Sequence, residues 1–147
     1  MKAKLMTALI AGGLLLGSTA FAKDYTVKML NTGADGTFVF EPGYLHVQKG
    51  DTVTFQATDA GHDSQSFAVP AGAKSWKGDI GKDVKVTFTQ DGVYLYECSP
   101  HHMFGMLGVI QVGKATNKAA ADKAAAAMEA KQMMNKGRLN GLMEKVK

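Results

Sequence analysis

Between Lys23 and Gly113, hydrophobic and polar residues alternate over short runs. Tyr25, Val27 and Met29 alternate with Thr26 and Lys28, Val53 and Phe55 with Thr52, Thr54 and Gln56, and Val84, Val86 and Phe88 with Lys85 and Thr87. A period of two sends successive side chains to opposite faces, so each run predicts a strand with one face toward a core. Thr37–Phe40, Tyr44–Gln48, Ser66–Val69, Val93–Glu97 and Val109–Val112 predict further strands. Turn-forming residues separate them, at Gly33-Ala34-Asp35-Gly36, Glu41-Pro42-Gly43, Lys49-Gly50-Asp51 and Gln90-Asp91-Gly92. Many short strands so punctuated predict an all-β sandwich over residues 23–113.

The pattern changes at residue 114. Residues 114–147 are rich in Ala, Lys and Met and contain no proline. Asn117 suits a helix N-cap, Lys118 to Asn135 favour a first helix, and Gly137 suits its stop. Leu139, Leu142, Met143 and Val146 then follow one face of a second helix. Both helices are expected to pack on the sandwich and cover apolar surface.

At the other end, residues 1–22 read as a secretory leader. Lys2 and Lys4 precede the apolar stretch Leu5 to Leu16, and Ala20-Phe21-Ala22 forms a small-x-small cleavage pattern. A retained anchor helix fits less well, since a span needs about 20 apolar residues. Such a leader implies an exported chain, and cleavage after Ala22 would leave 125 of the 147 residues. That is one domain with a real core, too short for a multidomain enzyme. It would also leave 15 basic against 13 acidic residues, too even a balance to indicate nucleic acid. The charge is uneven, with 7 basic and 10 acidic residues in 23–113, and 8 and 3 in 114–147. If the helices sit on the side or far end of the sandwich, this basic excess is expected to lie away from the chemistry below.

Cys98 is the only cysteine, so an exported chain has no internal disulfide and an inert, intermolecular or metal-bound thiol. Its surroundings favour the last. In Tyr96-Glu97-Cys98-Ser99-Pro100-His101-His102-Met103-Phe104-Gly105-Met106 a thiol is followed by imidazoles and thioethers, on a loop between two predicted strands. His62, upstream in Gly61-His62-Asp63, offers another imidazole on a loop. Two imidazoles, a thiolate and a weak thioether form the donor set of an electron-transfer copper site, because sulfur suits Cu(I) and imidazole suits both oxidation states. Zinc would also accept Cys and His, but a structural zinc site does not usually include a thioether. Spacing alone leaves His102 and Met103 as alternatives to His101 and Met106. His46, within a predicted strand, is read as a surface histidine. No acid–base or nucleophile set stands apart from these donors, so an enzyme is not expected. Met128, Met133, Met134 and Met143 could instead form a thioether cluster, which would make the chain a periplasmic copper carrier or storage protein; gap-filling on helix faces is the simpler reading.

The chain resembles the pseudoazurins, a cupredoxin family of type 1 blue copper proteins from bacterial periplasms. The resemblance rests on Val27-Lys28-Met29-Leu30-Asn31, Phe40-Glu41-Pro42, Gly50-Asp51-Thr52-Val53-Thr54-Phe55, Gly61-His62, Cys98-Ser99-Pro100-His101, Gly105-Met106 and the helical tail. It implies a Greek-key sandwich of about eight strands with two C-terminal helices, and one copper ion held by His62, Cys98, His101 and Met106. The implied activity is one-electron shuttling by a monomer to a copper nitrite reductase, a cytochrome peroxidase or cytochrome c.

Three features, at four positions, depart from that family. Asp63 replaces the usual Asn after the first ligand; ionised, it can only accept hydrogen bonds, and the Ser99 hydroxyl is its expected donor. Phe38 stands where Met is common, and is expected to stack on the His101 ring. Glu97 and Thr32 replace lysines of a basic ring, of which Lys74 and Lys77 are expected to preserve part. Around His101, Pro100, Phe104 and Met106 are expected to form a small apolar docking patch.

Overall fold

The computed structural model describes residues 20–147. Most of the predicted leader, residues 1–19, lies outside the described residues.

Eight strands form two four-stranded sheets. They are β1 (Asp24–Gly33), β2 (Gly36–Glu41), β3 (Tyr44–Val47), β4 (Thr52–Gln56), β5 (Gln65–Ala68), β6 (Val84–Thr87), β7 (Gly92–Glu97) and β8 (Leu107–Val112). One sheet runs β2-β1-β4-β6 and the other β3-β8-β7-β5. β1 pairs in parallel with β4 and β3 with β8, while the remaining neighbours are antiparallel. These crossovers bring the ends of β1, β4 and β7 and the starts of β2, β5 and β8 to one end of the sandwich.

The two sheets solve different burial problems. In the first, Val27, Met29, Val53 and Phe55 point inward while Thr26, Lys28 and Gln56 face water. That is why β1 and β4 show alternation. In the second, Tyr94 and Tyr96 enter the inter-sheet core, whereas Val93 and Leu95 join a separate cluster with Leu107 and Val109 on the outer face. That outer face is covered by α1 (Lys118–Glu129) and α2 (Arg138–Met143), through Ala121, Ala125, Leu139, Leu142 and Met143. Burial on both faces explains the nearly unbroken apolar runs of β7 and β8. Each such side chain contributes roughly 1.5–3 kcal/mol.

The helical tail differs from its sequence reading in two ways. α1 ends at Glu129, not at Asn135. The Asn117 side chain caps nothing; it pairs with the backbone of Val93 in β7 (N–H to Oδ1 2.7 Å, Nδ2 to carbonyl 2.9 Å). Residues 130–137 leave the helical path and run to the other end of the sandwich's chemistry, the loop after β7. Here Met133 N–H donates to the Met103 carbonyl at 2.8 Å, and Asn135 Nδ2 to the Phe104 carbonyl at 2.7 Å. Part of the basic tail therefore reaches that loop and does not lie away from it: Arg138 donates to the Gly105 carbonyl at 2.9 Å, and exposed Lys131 and Lys136 flank the contacting segment in sequence. Among the described residues no helix is long and apolar enough to cross a membrane.

Candidate metal centre

The loop from Cys98 to Met106 is built by its own backbone. The Cys98 N–H donates to the Met106 carbonyl (3.1 Å), His101 N–H to the Cys98 carbonyl (3.1 Å), and Met106 N–H to the His101 carbonyl (3.2 Å). A single 3₁₀ turn, His102–Phe104, lies inside it and ends on Gly105 at φ 84°, a left-handed conformation that favours glycine. A short turn of this kind brings both ends of the loop to one place.

At that place three donor atoms converge. The Nδ1 atoms of His62 and His101 are 3.1 Å apart, and Cys98 Sγ lies 3.7 Å from the first and 3.5 Å from the second. Met106, wholly buried, closes the same loop. His, Cys, His and Met are thus positioned to bind one metal ion. The other two candidates turn elsewhere. His102 Nδ1 faces the Ser99 carbonyl at 2.8 Å, and Met103 is 40% exposed. His46 is exposed, with Nε2 2.9 Å from the Gly113 carbonyl.

The chemistry of these donors fits a cation. His62 Nε2 lies 2.8 Å from Asn31 Oδ1, an oxygen that only accepts, so the ring proton sits on Nε2 and Nδ1 keeps its lone pair. Asn31 is itself fixed, its N–H donating to Asp59 Oδ2 at 2.7 Å. Burial lowers the His62 pKa, reinforced by His101 and opposed by Asp59 and Asp63. A neutral imidazole is the form a metal needs. Burial pushes the Cys98 thiol up to about 12, so without a cation it stays protonated. Two ring nitrogens 3.1 Å apart need a proton or a cation between them. Asn31 came from the sequence only as part of a matching stretch; its role has no local signal, because β1 and the His62 loop meet only in three dimensions.

The surrounding positions follow. Asp63 is buried and accepts from the Ser99 N–H at 2.6 Å and from the Ser99 hydroxyl, so it ties the two donor loops together. Phe38 stacks on His101 with ring centroids 4.4 Å apart and planes 14° apart, and Phe104 stacks on Phe38 at 5.8 Å. Pro100 is exposed and Phe104 half-buried, but Met106 is fully buried and cannot belong to a surface patch. Within the loop, the exposed methionine is Met103. Glu97 accepts from Gln65 Nε2 at 2.8 Å, and the Gln65 backbone pairs antiparallel with that of Lys77. Lys74 instead lines a cleft with Lys85, Thr87 and Phe88, toward the end of β6 remote from the metal loop. Of the four tail methionines, Met128 and Met143 pack in the cluster under the helices, while Met133 and Met134, on the segment between α1 and α2, are 64% and 45% exposed.

Residues 27–113 match the family described as copper binding proteins of the plastocyanin/azurin family. The chain is 36% identical over 122 residues to pseudoazurin from Paracoccus pantotrophus, covering 82% of this chain and 84% of that protein. Its fold is similar to crystal structures of pseudoazurins from Hyphomicrobium denitrificans (TM-score 0.72, 33% identity, 84% of this chain and 98% of that one) and Methylobacterium extorquens AM1 (TM-score 0.68, 33% identity, 81% and 93%).

Proposed function

The chain belongs to the pseudoazurins within the copper-binding plastocyanin/azurin family, and from that premise we propose that it is a soluble periplasmic one-electron carrier with a type 1 copper site, not an enzyme. His62, Cys98, His101 and Met106 are the proposed ligands. The observation that carries this reading is the convergence of two imidazole nitrogens and one thiol sulfur within 3.7 Å of one another at the buried end of a β-sandwich. A copper ion bound there would supply the one-electron couple. The protein's part is to hold the donors still, through Asn31 on His62, Asp63 on Ser99 and Phe38 on His101, so that little rearranges between oxidation states. The experiment is a Cu(II) titration of the metal-free protein. An intense visible thiolate band saturating at one equivalent supports the reading, and colourless binding would sink it.

Asp63 places a negative charge beside this site, which favours the more positive, oxidised ion. Asp63→Asn keeps a side chain able to accept from the Ser99 N–H but removes that charge. The reduction potential is expected to rise by about 40 mV, since a charge at this burial is worth on the order of 1 kcal/mol. Protein-film voltammetry checks it. An unchanged or lower potential with an unaltered visible spectrum would refute the electrostatic account.

The proposed partners are a copper nitrite reductase, a cytochrome peroxidase or cytochrome c, met by a monomer through the small apolar patch of Pro100, Phe104 and Met103. Exposed Lys131 and Lys136 are close in sequence to Met133 and Asn135, which hydrogen-bond Met103 and Phe104 of that patch, and Glu97 carries the opposite charge next to Cys98. Charge near a contact governs encounter rate. Lys136→Glu is therefore expected to slow electron transfer to an acidic partner by about threefold to tenfold at low salt, with the difference vanishing near 0.5 M salt. Stopped-flow rates across ionic strength test this, and equal rates for the variant and the parent at low salt would remove Lys136 from the docking face.

A further inference from the structure

The two helices bury the outer face of one sheet, yet the segment entering α2 does something that burial does not require. Arg138 is half-buried, and its guanidinium donates to four backbone carbonyls on two separate pieces of chain. Nη1 reaches Phe38 at 2.8 Å and Gly105 at 2.9 Å, while Nη2 reaches Thr37 at 3.0 Å and Asp35 at 3.1 Å. Asn135 repeats the span, with Nδ2 2.7 Å from the Phe104 carbonyl and 3.3 Å from that of Thr37. Each side chain bridges the start of β2 to the loop that carries Cys98, His101 and Met106.

We propose that Arg138, assisted by Asn135, is a positioning residue of the metal centre, clamping the start of β2 to the metal loop so that Phe38 is held face-on against His101. The inference rests on the copper reading only for what the clamped loop holds; the clamp itself is a property of the chain.

Three features support it. Phe38 has φ 51°, a left-handed conformation that a bulky side chain avoids, and its carbonyl is one that Arg138 holds. Asn135 is left-handed too, at φ 52°. Such backbone persists where surrounding contacts over-determine it, and here both residues belong to the same hydrogen-bonded bridge. Next, the bonds are charge-assisted and the donor is a rigid planar fork, the one side chain able to serve four carbonyls at once. Finally, the metal loop leaves no slack against the tail. A Cβ built on Gly105 would lie 2.7 Å from Asn135 Cβ and 3.2 Å from the Met134 carbonyl, so loop and tail are in direct contact.

Arg138→Lys is the decisive variant, because it keeps the positive charge near the site and removes only the fork. Amide hydrogen exchange is read first in the metal-free protein. The Cys98, Gly105 and Met106 amides, which donate within the metal loop, are expected to exchange at least tenfold faster, with the β1 and β4 amides unchanged. In the copper-loaded protein the relative intensities of the visible bands should shift, and a Cu(I) chelator should extract the ion about tenfold faster. Unchanged loop exchange in Arg138→Lys would overturn the proposal, because the loop would then be held without the fork. Equal acceleration in loop and sheet would also overturn it, as general loss of stability. If the parent protein binds copper without a visible band, the copper reading fails, and exchange in the metal-free protein still decides the clamp.

Discussion

Copper added to a Cys98→Ser variant will produce no intense visible band, and its affinity will fall by more than the roughly 100-fold that loss of a supporting hydrogen bond costs a metal site. The colour of such a site arises from transfer of charge between a thiolate and Cu(II), and Cys98 supplies the only thiol in the chain. A serine oxygen is hard where sulfur is soft, does not ionise in a buried position, and suits Cu(I) poorly. The fold should survive, because the side chains differ little in size and the loop is held by its own backbone bonds from Cys98 to Met106. A buried hydroxyl in place of the thiol costs about 1–3 kcal/mol. Absorbance spectra and competition against a chelator read the first effect, and thermal unfolding reads the second. A variant that stays folded and still turns blue would mean that Cys98 is not a ligand.

Gly108→Ala will destabilise the sandwich by about 3 kcal/mol, large for the addition of one methyl group. Gly108 faces Tyr96 across the β7–β8 pair, and the tyrosine ring lies over the glycine. A Cβ there would come within 2.1 Å of Tyr96 Cζ and 2.3 Å of its Oη. The ring has nowhere to move: it is wholly buried, with Phe40 at 4.7 Å, Phe55 at 4.8 Å and Trp76 at 5.9 Å between centroids. Either Tyr96 leaves its preferred rotamer or the strands part. For a chain of this size the melting temperature should drop by about 10 °C. Urea unfolding of the variant and of the Tyr96→Leu, Gly108→Ala double variant checks the cause, because the smaller residue should absorb most of the cost. A loss below about 1 kcal/mol in the single variant would show that the ring yields easily.

These two positions differ in how they could be found. Cys98, His101 and Met106 lie within one loop, and chemistry limits what a thiol, an imidazole and a thioether at that spacing can do together. His62 could be added because its type and loop context suit the same ion. The strands were legible for a similar reason. A sheet with one wet face needs alternation, and β1, β4 and β6 show it along the chain. The helical tail was legible in composition but not in extent, since α1 stops at Glu129 although good helix formers continue beyond it. Contacts of residues 130–137 with the metal loop outweigh local preference there.

What only the tertiary structure decided are the relations between distant segments. The choice of His101 over His102 follows from a 3₁₀ turn that points one ring at Cys98 and the other at the Ser99 carbonyl. The proton on His62 is placed by Asn31, 31 residues away in sequence. The tight fit of Gly108 to Tyr96 and the bridge from Arg138 to Phe38 and Gly105 depend on strand register and on the path of the tail. Periodicity reports which face of a segment is buried, and residue type reports which chemistry is possible. Neither carries the distance between two segments, which is set when both sheets and the helices pack at once. For this protein the sequence by itself therefore determined a sandwich with a copper-like donor set and a helical tail. Packing decided which donors meet, what holds them, and that the tail reaches the metal loop.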